Sequence, residues 1–265
     1  MLFYLYTGEK PDSGRMNLPE MLTVGHSDKK NILSSNRTEK EGFMEYSIQL
    51  NAVNNPQKNV RAFASIIFGD SFKVTNVAVL EGSKGNFVSM PSFRTKERDE
   101  FNNVVYKDVC NPITKEFREE LYGDILRLYD EMEQTGKAEV KMVSDKPDEP
   151  EFTVRVTPFE HEGSNMVGLA NIVLNDSFAV GKVSVVQGRN GIFVAMPSYK
   201  AGNKYKDVCF PITKEFREKV NNAVIKTYQQ AKEQALQEGQ ERAMKQLQTD
   251  DRGFMKYNGE PLPFR

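Results

Sequence analysis

The chain has 265 residues and a mass of 30.2 kDa, with 38% hydrophobic and 28% charged residues, enough for one or two globular domains. A formal net charge of −1 and a pI of about 6.2 supply no global basic field. The two cysteines, Cys110 and Cys209, are too few for a disulfide framework and point to a reducing, cytoplasmic compartment, and no stretch reaches the length of a transmembrane helix.

Residues 1–44 contain Pro11, Gly14, Pro19 and Gly25 without a sustained period, and read as a weakly ordered leader. The opening MLFYLY is closed off by Glu9 and Lys10 and is too short for the core of a signal peptide. From Tyr46, YSIQLNAV alternates apolar and polar residues and predicts a strand. RAFASIIF follows as a second strand ended by GDSF, and FKVTNVAVLEG continues in period two through Val74, Val77 and Val79. A turn at Gly82–Gly85 leads to NFVSMP, a strand terminated by Pro91. Strands joined by turns this short fit an antiparallel meander. RTKERDEFNNVV is then the tip of a hairpin whose returning strand is YKDVC. After Pro112 the period becomes helical. Thr114 is placed to cap a helix whose apolar face is Phe117, Leu121, Ile125, Leu128, Tyr129 and Met132. That face must lie on the sheet.

Residues 133–150, charged and ending in proline-rich sequence, read as a linker. The pattern then starts again. FTVRVTPF lies opposite YSIQLNAV at an offset of 106, as NDSF lies opposite GDSF and FVAMPSY opposite FVSMPSF. YKDVCFPITKEFRE (Tyr205–Glu218) repeats YKDVCNPITKEFRE (Tyr106–Glu119) with one difference, Phe210 for Asn111, at an offset of 99. The second hairpin, with KAGNK at its tip, is therefore seven residues shorter than the first. Thr213 is the second cap, and Phe216, Val220, Val224, Tyr228 and Ala231 form the second apolar face. The units are thus residues 45–132 and 151–231. Residues 232–265 read as a helical extension with a thin apolar stripe, followed by an extended tail.

The copies differ in charge. Tyr46–Met132 has 11 Lys/Arg against 12 Asp/Glu, whereas Phe152–Ala231 has 10 against 6. A polyanion would be drawn to the second unit. Catalytic constellations are missing from the sequence. His26 and His161, the only histidines, sit in no motif, and neither cysteine has a base. No Cys/His cluster has metal-ligand spacing. The glycine turns precede strands and lack the Lys-Ser/Thr of a phosphate loop. Asp108 and Asp207 supply one carboxylate per unit, which makes no acid–base pair. The chain reads as a non-enzyme without a cofactor.

QGRNGIFVAMPSYK, taken with NIVLNDSFAVGKVSVVQG before it and YKDV and PI after it, resembles the SpoVG family of bacterial stage V sporulation protein G and septation regulators. Both units carry the pattern. The resemblance implies a small α+β fold, usually a homodimer, and a cytoplasmic regulator of sporulation, septation and gene expression that binds DNA and in some cases RNA. Two tandem units imply that one chain forms an intramolecular pseudo-dimer, each unit an antiparallel β-meander followed by one packing α-helix. In the family the nucleic-acid surface is associated with Lys-Arg-Thr after MPS and with an Arg on the returning strand. Those positions are occupied here by Phe93 and Tyr199, Arg94 and Lys200, Thr95 and Ala201, and Lys107 and Lys206. The expected nucleic-acid-binding residues are Arg94, Thr95, Lys107, Tyr199, Lys200, Lys204 and Lys206; Phe93 and Tyr199 are either base-stacking platforms or, as is commoner for aromatics on hairpin strands, packed across the sheet. The cations Arg94, Lys96 and Arg98 are answered by Glu97, Asp99 and Glu100, so the second hairpin is expected to carry more of the contact.

An alternative stays open from another class: a protein-interaction module on the same fold that has lost nucleic-acid binding. The acidic pI, the aromatic residues in place of lysine and the Gln-rich terminal helix favour it. The expected partners are therefore nucleic acid, with a protein partner through the C-terminal helix as a second surface. No membrane association is expected. The chain is expected to be a monomeric pseudo-dimer or a further self-associated form.

Overall fold

The computed structural model describes residues 44–53, 59–144, 148–159 and 163–250, the side chains of 243 and 245–250 apart. The leader at 1–43 and the tail at 251–265 lie outside the described residues.

Alternating burial builds the first sheet. In β1 (Tyr46–Ala52), Tyr46, Ile48 and Leu50 point inward and are buried, as the period predicts. β2 (Val60–Phe68) pairs with β1 and with β3 (Phe72–Gly82), both antiparallel. The far end of β3 turns back through β4 (Gly85–Ser89). The chain then leaves the sheet as a separate hairpin, β5 (Ser92–Arg98) with β6 (Val104–Asp108). β7 (Cys110–Pro112) leads into α1 (Lys115–Thr135). All six predicted apolar positions of α1 are buried. Thr114 caps it by accepting the Phe117 N–H at 3.3 Å. Thr114→Ala is expected to lower stability by about 1 kcal/mol, read as a shift in the urea midpoint at unchanged slope.

The second half repeats the order with β9 (Phe152–Pro158), β10 (Met166–Leu174), β11 (Phe178–Gly188) and β12 (Gly191–Ala195). Its separate hairpin is β13 (Ser198–Ala201) with β14 (Lys204–Asp207). β15 (Cys209–Pro211) and α2 (Lys214–Asp250) follow. Thr213 accepts the Phe216 N–H at 3.3 Å, as Thr114 does in the first half.

The duplicated block does more than join a strand to a helix. It divides after Asp108 and again after Asp207, and its last strand crosses to the other half. β7 pairs with β11, and β15 pairs with β3. The antiparallel meander of each half is thus completed by a strand from its twin, an intramolecular pseudo-dimer with reciprocal strand exchange. Cys110 and Cys209, on the two crossing strands, share a hydrogen bond. Equivalent residues that touch lie on the two-fold axis relating the halves. This hydrogen bond and burial push the Cys110 thiol well above its ordinary range, so it stays protonated and inert.

One core serves both halves. Tyr46, Phe117 and Phe68 pack edge-on or tilted within the first half, and Phe68 meets Phe178 of the second at 4.8 Å between ring centroids. Phe72 of the first half meets Phe216 at 6.4 Å, and Phe216 meets Phe152 at 5.5 Å. The described residues of both halves accordingly form one compact unit.

One segment departs from the expected organisation. Within the stretch read as a linker, α1 runs on to Thr135, Gly136 closes it in the left-handed conformation, and β8 (Glu139–Met142) adds to the edge of the first sheet beside β1. The alternation of Val140 and Met142 with charged residues is a short edge strand's pattern, and the charge concealed it. In the second half α2 continues unbroken for 37 residues, and residues 232–242 and Met244 are exposed.

Candidate functional site

Register decides what each hairpin presents. Directly opposed residues of an antiparallel pair share a face, and neighbours along a strand alternate. In the second hairpin Tyr199 opposes Lys206 and Ala201 opposes Lys204, so these four share one face. Lys200 opposes Tyr205 and occupies the other face. The three lysines therefore wrap around the hairpin. In the first hairpin Phe93 opposes Lys107 and Arg94 opposes Tyr106, so Arg94 and Lys107 also fall on opposite faces.

The first hairpin's carboxylates do not answer Arg94, Lys96 and Arg98 as expected: none of these three has a carboxylate partner among the described residues, and Arg98 donates to the Asn102 carbonyl at 3.1 Å. Lys107 is tied to Glu97 at 2.8 Å. Thr95 donates its hydroxyl to the Val105 carbonyl at 2.8 Å and accepts the Glu97 N–H at 3.2 Å, so it serves the hairpin itself. Asp99 ties the tip by accepting N–H groups from Asn103 and Phe101. These bonds, led by the Asn103 N–H, hold its carboxyl below the ordinary range. Of the first hairpin's expected site residues only Arg94 is exposed and unpaired among the described residues. In the second hairpin Lys200, Lys204 and Lys206 are all exposed, and none has a carboxylate partner among the described residues. Tyr205, opposite Lys200, is 73% exposed. Tyr199, by contrast, is half-buried against the core.

Tyr205 is not among the expected site residues. It lies in the duplicated block, where the strand-to-helix role accounts for every residue. Its signal was the absence of any apolar residue opposite it: the hairpin pairs it with Lys200.

Each hairpin leans on the other half's long strand. β3 and β11 are bulged at Asn76 and Lys182, which have φ of 61° and 57°. The Thr75 N–H donates to the Val208 carbonyl and the Gly181 N–H to the Val109 carbonyl, both at 2.8 Å. These bonds fix the base of one half's hairpin over the bulge of the other. At the first hairpin, the Lys182 ammonium sits 3.5 Å from the centre of the Phe93 ring. At the second, a shallow cleft of about 410 Å³ is lined by Thr75, Asn76, Tyr199, Lys206, Asp207 and Phe210.

A further depression of similar size is lined by Val53, Arg61, Glu81, Asn86, Tyr129 and Glu133. Its polar groups satisfy one another, Arg61 with Glu81 and the Tyr129 hydroxyl with Glu133 at 2.5 Å. Burial, followed by that carboxylate, pushes the Tyr129 hydroxyl up to about 12. Among the described residues no group of His, Cys, Asp and Glu is arranged to hold a metal ion, and no helix is long and apolar enough to cross a membrane.

A family model described as SpoVG matches residues 44–131 and again residues 151–230. Septation protein SpoVG of Thermoanaerobacter sp. (strain X514) is 38% identical over 82 residues, covering 31% of this chain and 88% of that protein. The protein of the same name from Treponema denticola is 40% identical over 76 residues, covering 28% and 77%. That of Clostridium beijerinckii is 34% identical over 87 residues, covering 32% and 94%. Each aligned stretch is about the length of one unit, so these relatives correspond to half of the pseudo-dimer.

Proposed function

Because the chain belongs to the SpoVG family, as two tandem copies, we propose that it is a non-enzymatic regulator that binds nucleic acid, DNA or RNA, through its second hairpin. The observation that carries this reading is the cluster of Lys200, Lys204 and Lys206. Three exposed ammonium groups on eight strand residues have no carboxylate partner among the described residues. Unpaired cations on a projecting hairpin release counterions when they meet phosphates, which gives salt-dependent affinity. Arg94 lends a further cation from the first hairpin, while Lys107 and Thr95 are engaged within it. Tyr205 adds an exposed side chain beside Lys200, whose hydroxyl can meet a phosphate oxygen. The names of the relatives favour a place in the control of septation.

The test is an anisotropy titration of single- and double-stranded oligonucleotides at two salt concentrations. Affinity is expected to fall steeply with salt. Lys200→Glu with Lys206→Glu is expected to abolish binding while the circular dichroism spectrum is unchanged. Because these lysines face opposite ways, each single variant is expected to lower the salt slope by roughly 0.7–0.9. Unaltered affinity in the double variant would remove the hairpin from the site.

A protein-interaction role is the second reading, favoured by the later part of α2, where Leu236 and Met244 are 64% and 65% exposed. It prevails if the chain binds no oligonucleotide at low salt.

A further inference from the structure

The pseudo-two-fold symmetry relates two places that ought to be alike and are not. Where the first hairpin meets β11, Lys182 covers the ring of Phe93. Where the second hairpin meets β3, the residue equivalent to Lys182 is Asn76 and the residue equivalent to Phe93 is Tyr199. Asn76 is too short to cover that ring, and the cleft stands open. We propose that this cleft, formed by Asn76 of one half with Tyr199 and Lys206 of the other, takes a single unpaired nucleobase, and that the chain has one such subsite because Lys182 occupies the other. The inference rests on the nucleic-acid reading and adds the class of strand, single rather than double, and the position of one base.

Three of the lining residues, Tyr199, Asn76 and Lys206, suit a nucleotide. Tyr199 brings an aromatic ring that is held against the core, so little side-chain freedom is lost on stacking. The Asn76 side chain makes no hydrogen bond among the described residues, leaving both its donor and its acceptor for a base edge. Its position is fixed by the bulge, which holds the backbone in the left-handed conformation that asparagine tolerates well. Lys206 stands opposite Tyr199 on the same face, where it can meet the phosphate beside a stacked base. Thr75, by contrast, is committed: its hydroxyl donates to the carbonyls of Val208 and Asp207 at 3.0 and 3.3 Å. Asp207 also lines the cleft, and its carboxylate repels a phosphate at that end, which favours a base there.

The natural asymmetry supplies the test. Lys182 shows that a lysine is tolerated at this bulge, so Asn76→Lys should fold and close the cleft. The change adds a cation next to Lys206. Electrostatics alone would tighten binding, whereas loss of a stacking subsite weakens it. The probe is a short oligothymidylate with one central 2-aminopurine, whose fluorescence is quenched on stacking. The full-length chain is expected to quench it at one probe per chain. Asn76→Lys is expected to lose the quench and bind the strand roughly tenfold more weakly, in the range that removal of one base–aromatic stack gives. Lys182→Asn is expected to uncover Phe93 and add a second quenching site. An Asn76→Lys chain that binds as tightly as the parent with the quench intact would overturn the subsite. Binding by the parent chain without any quench would overturn it too, while leaving the phosphate-binding hairpin in place. Absence of binding to single and double strands alike would overturn both readings.

Discussion

Phe68→Ala is expected to lower the unfolding free energy of the chain by about 3–5 kcal/mol and to do so in a single transition. Phe68 is fully buried, and its ring meets Phe117 of its own half and Phe178 of the other. Truncation removes the transfer free energy of the ring and leaves a cavity at the junction of the two sheets. Exchanged strands close both sides of that junction, so neither half can relax into it alone. Urea denaturation followed by near-ultraviolet and far-ultraviolet circular dichroism would read the change. Coincident curves shifted together are expected. A second transition at the parent midpoint would mean that the halves have separate cores.

Gly69→Ala is expected to cost roughly 2–5 kcal/mol, from about 1–2 for the left-handed backbone and about 1–3 for forced displacement of its neighbours. Gly69 has φ of +49°, and a Cβ built there would stand 1.8 Å from the carbonyl oxygen of Asp148 and 2.8 Å from Cδ of Pro150. The obstacle is therefore backbone, which cannot swing aside as a long side chain does. The equivalent position in the second half is Asn175, with φ of +41°, so the conformation alone tolerates a side chain. Gly69→Asn separates the two causes. It is expected to destabilise nearly as much as alanine, because the approach of Asp148 is unchanged. A Gly69→Asn chain as stable as the parent would leave backbone conformation as the whole of the effect.

Much of this architecture was legible in the sequence, and what was hidden follows a pattern. The faces of β1, β3 and α1 and the caps at Thr114 and Thr213 rest on local periods and local hydrogen bonds, which the residues themselves carry. The exchange of β7 and β15 does not. Period two in YKDVC fixes which side chains turn inward, but it is silent on which sheet supplies the neighbour. Two identical blocks make the choice between own half and twin invisible. The cover of Phe93 by Lys182 was hidden for the same reason, since it joins residues from different repeats. β8 was concealed by its charged alternate residues. Of the candidate site, the cations of both hairpins could be read directly. The expected pairing of Arg94, Lys96 and Arg98 with Glu97, Asp99 and Glu100 is not formed, because Glu97 reaches across the hairpin to Lys107 and Asp99 ties the tip. Which lysines share a face required the register.

Exchanged strands carry one more consequence, for how the molecule responds to dilution. When two separate chains hold each other by swapping strands, mass action works against them, and the pair dissolves as its amount falls. Here β7 and β15 belong to one chain, and no bimolecular encounter is needed to bring them to β11 and β3. The two-fold arrangement thus persists at the lowest copy number, and a single polypeptide presents both of its unlike hairpins at once.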